Sequence, residues 1–153
     1  MSKLELKIPP LLLMVIFAAL MWQISRQLPL PLLPAPYGQI TFAVLLLCGI
    51  FFLIAAAVPF RKVRTTVNPM TPGDASSLVI EGIYKRTRNP MYVGCLLILV
   101  GWSFFLSNLY SLIFSFGFVI YMNRFQIQPE ERSLTALFGD EYQAYQNQVR
   151  RWI

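Results

Sequence analysis

Apolar residues in this chain are gathered into long blocks. Ile8 to Ile24, Ile40 to Phe60, Met91 to Leu106 and Leu109 to Met122 contain no Asp, Glu, Lys or Arg. A bilayer core of roughly 30 Å needs about 20 helical residues, so the four blocks predict four transmembrane helices. The second is comfortably long, and the first reaches the interface by tilting or by extending toward Lys7 and Gln27. Only Ser107 and Asn108 separate the third from the fourth, which predicts a tight antiparallel helical hairpin. Pro90 suits the first turn of the third helix, where its missing N–H costs nothing. The fourth helix is expected to run on past Arg124 and to stop at Pro129. Beyond it, Phe138, Tyr142, Tyr145, Val149 and Trp152 form one apolar stripe at helical spacing, as in amphipathic helices that pack or lie at an interface. Pro29, Pro31, Pro34 and Pro36 predict an extended linker between the first two helices.

The fold class expected from this pattern is all-α and integral to a membrane. Residues 1–60 would hold two N-terminal transmembrane helices. Residues 61–153 would hold a cytoplasmic connector, the hairpin and the amphipathic helices.

Composition points the same way: of 153 residues, 56% are hydrophobic and only 13% charged, outside the usual range of a soluble domain. Basic residues set the orientation. Lys3 and Lys7, the connector residues Arg61, Lys62, Arg64, Lys85, Arg86 and Arg88, and the late Arg124, Arg132, Arg150 and Arg151 all fall on one side of a four-span topology. The opposite loop holds only Arg26. A multi-pass protein with both termini and the 61–90 connector in the cytoplasm is therefore expected. The net charge of +6 is explained by basic loops at anionic membrane lipids and needs no nucleic-acid partner. A signal peptide is the competing reading of residues 1–24, weakened because no small-residue cleavage site follows Trp22.

The chain has no histidine, which excludes imidazole catalysis, haem ligation by histidine and the common zinc motifs. Cys48 and Cys95 lie inside apolar blocks without metal-ligand spacing, so they read as small buried thiols and no metal is expected. No Gly-x-Gly-x-x-Gly or Walker-type loop occurs. What remains is two polar tracts, Ser76 to Gly94 and the set Glu130-Glu131, Leu134, Phe138-Gly139, Tyr142, Tyr145, Val149 and Arg151. Gly82 permits a tight turn. Arg88-Asn89-Pro90 presents an amide at a helix entrance, where free N–H groups favour a carboxylate. Tyr84 and Tyr92 offer aromatic faces to a base or a cation, and Glu130 can accept hydrogen bonds from hydroxyls or an ammonium. Plainer readings stand beside these. Lys85, Arg86 and Arg88 serve equally as membrane-surface anchors, Glu130 and Glu131 suit a helix start, and Phe138-Gly139 suits a helix end with Asp140 capping the next.

In order and spacing, the two tracts resemble the cofactor-binding core of the isoprenylcysteine carboxyl methyltransferases and the related membrane phospholipid methyltransferases, over roughly Thr65 to Trp152. The resemblance implies an enzyme using S-adenosyl-L-methionine, with Ser77, Leu78, Val79, Tyr84, Arg88, Asn89, Pro90, Met91, Tyr92 and Glu130 lining the cofactor site. Two positions depart from the family pattern. Asn89 stands where many relatives have histidine in an Arg-His-Pro tract. Gln126 stands where relatives that methylate a prenylcysteine carboxylate place an arginine four residues before the matched glutamate, and Arg124 is the nearest substitute. Arg124 and Gln126 are thus candidates for substrate contact, and Glu130 and Arg124 for catalysis. The implied acceptor is a lipophilic molecule or lipidated group entering from the bilayer, with a carboxylate or thiol favoured because an ammonium must lose a proton and, without histidine, only Glu130 and Glu131 are at hand to take it. A phospholipid or amine N-methyltransferase, a non-catalytic membrane assembly factor and a small transporter subunit are the alternatives. The last is weakened because the four blocks hold no ionisable group of the kind ion pathways use.

Overall fold

The computed structural model describes residues 5–63, 73 and 76–153, without the side chains of residues 61–63. Lys3, Arg64 and Thr65, and the side chains of Arg61 and Lys62, lie outside the described residues. Within them the chain is all helical: α1 is Pro10–Gln27, α2 Ala35–Val63, α3 Pro90–Phe105, α4 Leu109–Tyr121 and α5 Gln128–Gln148. α1 and the Ala35–Phe60 part of α2 are long and apolar enough to cross a membrane, while α3 is a shorter apolar helix. Pro10 and Pro90 sit in the first turns of α1 and α3, where a missing N–H breaks no intrahelical bond.

Small residues bring α2 and α3 together. A Cβ added to Gly49 would lie 2.8 Å from the Gly94 carbonyl oxygen, and one added to Gly94 would lie 2.8 Å from that of Gly49. Further along, Gly101 faces Leu45 and Phe42, and Gly38 faces the Phe104 carbonyl. The two helices therefore run antiparallel with backbones in near contact, which suits apolar surroundings where dispersion contacts replace the hydrophobic effect as the packing force.

α1 lies antiparallel along α4. Phe17 packs against Phe114 and Phe118, with ring centroids 5.1 and 5.7 Å apart, and the Ser111 hydroxyl donates to the Met21 carbonyl at 2.9 Å. Trp102 Nε1 donates to the Ala18 carbonyl at 3.1 Å, joining α3 to α1. Leu13, Met21, Leu99 and Phe118 form the core of this bundle. Its exterior is apolar as well: Leu11, Val15 and Ile16 on α1, Leu47, Phe51 and Ile54 on α2, and Ile113, Phe116 and Ile120 on α4 are all exposed. So much contiguous apolar exterior suits lipid and not water.

Ser107 and Asn108 close the α3–α4 hairpin. Asn108 caps α4 by accepting from the Ser111 N–H at 2.8 Å, and its Nδ2 donates to the Leu28 carbonyl at 2.8 Å. Ser107, at φ 45°, donates its hydroxyl to the Leu33 carbonyl. The proline-rich linker is thereby pinned across the end of the hairpin.

At the opposite end the chain departs from the expectation that helix stops at Pro129. Met122–Ile127 is a π-helical turn in which the Gln128 N–H reaches back five residues to the Asn123 carbonyl, and α5 follows with Pro129 in its first turn. A proline inside an α-helix removes one hydrogen bond and crowds the carbonyl four residues earlier. Here that carbonyl, of Phe125, accepts instead from the Leu6 N–H at 3.0 Å. Glu5 reinforces the attachment through an ion pair with Arg132 at 2.8 Å. α5 does break at Gly139, whose φ of 50° and ψ of −124° lie outside the helical region, in keeping with the expected helix end at Phe138-Gly139.

Candidate functional site

A second core lies where α2 ends and α3 begins, built from the first polar tract, the last turns of α2 and α5. Gly82, at φ 62°, turns the chain into a 3₁₀ turn, Gly82–Lys85, which puts Tyr84 inside and leaves Lys85 and Arg86 exposed. Tyr84 packs with Val79, Ala56, Tyr142 and Tyr145. The Tyr145 hydroxyl donates to the Tyr84 carbonyl at 2.7 Å, and the Tyr84 hydroxyl contacts the Ala56 carbonyl at 3.4 Å. Burial raises the Tyr84, Tyr142 and Tyr145 phenols well above their ordinary range. Phe138, Tyr142, Tyr145 and Val149 thus share one packed face, as their spacing predicts. Trp152 leaves that face for the bundle core, where its Nε1 donates to Asn123 Oδ1 at 3.1 Å.

Glu130, in the first turn of α5, meets the first turn of α3. Tyr92 is buried, and its hydroxyl donates to Glu130 Oε2 at 2.9 Å. Gln126, 2% exposed, hydrogen-bonds Tyr92 as well. Burial lifts the Glu130 carboxyl to about 7; the Tyr92 hydrogen bond pulls it down, and the charge of Glu131 pushes it up. A carboxyl with that value exchanges a proton near neutrality, a service histidine usually provides.

Glu131 is held by two arginines. Arg88 Nη2 lies 3.0 Å from Oε1, while Arg151 fills the carboxylate fork with Nε 3.1 Å from Oε1 and Nη2 2.6 Å from Oε2. The Arg88 side chain is 11% exposed, and its Nε is buried without a hydrogen-bond partner among the described residues. Asn89 is buried but does not present its amide to the helix entrance: Nδ2 donates to the Arg151 carbonyl at 2.9 Å, and α3 has no side-chain cap there. The Arg88 N–H donates to the Arg150 carbonyl at 3.0 Å. Residues 150–152 therefore strap the helix entrance to α5.

Of the residues singled out from sequence, Val79, Tyr84, Arg88, Met91, Tyr92, Gln126 and Glu130 converge on this end of the bundle. Pro90 is buried in the first turn of α3, Leu78 packs at the margin of the aromatic cluster, and Ser77 is exposed. Arg124 does not join them. Its side chain is 56% exposed and reaches Glu5 at 3.9 Å and Gln128 at 3.4 Å, because residues two apart in a helical turn point to roughly opposite sides and Gln126 is the one facing inward. Sequence alone reads Glu131 as a helix-start acid or a candidate base and Arg151 as a cytoplasmic-side base, and does not pair them, although opposite charges within the same two tracts are a signal for their pairing. On the outer side of Glu131, an open cleft of about 420 Å³ is lined also by Gln128, Arg132, Thr135 and Gln146.

The phospholipid methyltransferase family profile matches residues 38–141, a stretch that contains most of α2, the first polar tract, the hairpin and the Glu130-Glu131 pair. The chain belongs to that family, and with two helices apolar and long enough to span a bilayer it is a membrane protein of the methyltransferase class. An uncharacterized protein of Haemophilus influenzae is 43% identical over 63 residues, which is 41% of this chain and the whole length of that protein. The protein-S-isoprenylcysteine O-methyltransferase of Schizosaccharomyces pombe is 37% identical over 73 residues, 47% of this chain. That match spans 30% of the yeast protein, less than a third of its length. No solved structure matches the chain.

Proposed function

We propose that this chain is an integral membrane methyltransferase that uses S-adenosyl-L-methionine and acts on a lipophilic small molecule or lipidated group. The observation that carries the reading is the meeting of Tyr92 and Glu130 at 2.9 Å, within a chain of this family. Two features of the site fit the cofactor's amino-acid end. Arg88 keeps a buried, unpartnered Nε suited to a carboxylate, and Glu130 is a half-buried carboxyl suited to an ammonium. Bound there, the cofactor supplies an electrophilic methyl group on sulfonium sulfur. The aromatic faces of Tyr84 and Tyr142 and the apolar Leu78, Val79 and Met91 would hold its remaining parts and exclude water.

A four-span arrangement with both ends and the 61–90 connector in the cytoplasm belongs to the same proposal. α3 lies along α2 from Gly38 to Leu53, and α4 along α1, which supports reading all four as spans. The polar cluster would then sit at the cytoplasmic surface of the membrane, reached by the cofactor from water and by the acceptor from lipid.

A thiol or carboxylate acceptor needs little help from a base. An amine acceptor, such as a phospholipid headgroup, is the second reading, and Glu130 at about 7 favours it, because a carboxylate poised near neutrality can take the ammonium proton on Oε. The test is calorimetric titration of S-adenosylhomocysteine into detergent-purified protein, followed by a methyl-transfer assay on prenylcysteine, thiol, fatty-acid and phospholipid-amine acceptors. Saturable binding that weakens at least tenfold in Glu130→Gln is expected. Absence of binding by well-folded protein would leave the non-catalytic assembly factor as the better reading.

A further inference from the structure

Arg88, Glu131 and Arg151 form a partly buried group of two guanidiniums on one carboxylate, with a net positive charge. Guanidinium and carboxylate pair best as parallel forks, and it is Arg151, the more exposed of the two at 35% against 11%, that occupies the Glu131 fork. Arg88 touches only Oε1, through Nη2, and its Nε is left buried and unsatisfied. Buried donors in native proteins nearly always find a partner, so a donor kept open beside an uncompensated positive charge suits an anionic ligand group. Glu130 precedes Glu131, the partner of Arg88, in the chain, and the Tyr142 hydroxyl is within electrostatic reach of Arg88, Glu130 and Glu131 together. A cation and a carboxyl so placed match the carboxylate and ammonium of one α-amino acid.

We propose that Arg151 is a positioning residue: by occupying Glu131 it prevents that carboxylate from closing on Arg88, and so keeps Arg88 available to the carboxylate at the amino-acid end of the cofactor. The inference rests on the methyltransferase reading above. With Arg151 shortened, Glu131 would take the Arg88 fork for itself and neutralise it. The strap would stay docked, because its other attachments include the backbone carbonyls of Arg150, which accepts from Arg88 N–H, and of Arg151, which accepts from Asn89 Nδ2 and the Thr87 hydroxyl, and the Trp152 indole on Asn123.

The experiment compares two ligands by calorimetry in detergent: S-adenosylhomocysteine and methylthioadenosine, which shares the nucleoside and thioether but lacks the amino-acid group. Wild-type protein is expected to prefer the first. Arg151→Met should weaken S-adenosylhomocysteine about tenfold or more while leaving methylthioadenosine unchanged, with Arg151→Lys intermediate because an ammonium cannot fill the fork. The double variant Arg88→Gln with Arg151→Met should bind no more weakly than Arg88→Gln alone, since both act on one contact. Trp152→Phe, which loosens the strap without touching Glu131, should keep the preference. Equal weakening of both ligands by Arg151→Met, additive losses in the double variant, or an undiminished preference would overturn the proposal. Should Arg151→Met fail to fold, Arg151→Lys decides by the same ligand ratio. Wild-type protein that binds the two ligands equally refutes this inference and leaves a nucleoside site standing; binding of neither refutes the methyltransferase reading itself.

Discussion

At Glu130, burial lifts the carboxyl from its ordinary 4.5 to about 7, while the Tyr92 hydroxyl pulls it back down. Because the folded value stands above the unfolded one, the protonated form favours the fold, and the cost of ionisation sets in as pH rises from 4.5 to about 7. Glu130→Gln should therefore raise the melting temperature of the detergent-solubilised protein at about pH 8 and leave it unchanged at about pH 4. Ligand binding runs the other way. An ammonium requires the ionised carboxylate, so S-adenosylhomocysteine affinity should climb through pH 7 in the wild type and stay flat in Glu130→Gln. In Tyr92→Phe the climb should move to higher pH, because the lost hydrogen bond favoured the carboxylate. Titrations at several pH values check all three, and a flat wild-type profile would remove Glu130 from the ammonium contact. Residue types alone mark Tyr92 and Glu130 as candidates. Gln126 is marked by its place four residues before Glu130, but that Arg124 does not share their face depends on the phase of the helix through the π-turn, which no motif states.

The α2–α3 contact depends on glycines where any Cβ would collide with backbone. Gly94→Ala sets a methyl group 2.8 Å from the Gly49 carbonyl oxygen, so stability should fall by about 1–3 kcal/mol, read as a lower melting temperature in detergent. Gly117→Ala, whose new methyl would meet the Phe17 ring edge at 3.4 Å, should change little. Equal melting of the two variants would mean that the helices can separate at no cost. The blocks that become α1 to α4 are legible because an apolar run with no charge has few solutions, and Pro90 marks the start of α3. The π-turn is not legible, since Pro129 reads as a stop until Leu6, over a hundred positions earlier in the chain, supplies the N–H that Phe125 needs.

The bundle is apolar outside as well as in. Leu47, midway along α2, is 68% exposed; in water a lysine there would be harmless, whereas in a bilayer a central charge costs about 2.5–3.5 kcal/mol on insertion scales. Leu47→Lys should sharply reduce the protein recovered in the membrane fraction, and Tyr37→Lys, exposed near the start of α2, should be tolerated; equal recovery of the two would speak against α2 as a span. The apolar blocks, the hairpin, the break at Gly139 and the two polar tracts all followed from local order along the chain, because each depends on neighbours a few residues away. Folding decided the partners: Tyr92 with Glu130, Arg88 and Arg151 on Glu131, Asn89 on the strap, Glu5 on Arg132. The reason is that few acids share many bases in this chain, and which cation meets which carboxylate is set by the packing of segments far apart in sequence and not by the spacing within any one of them.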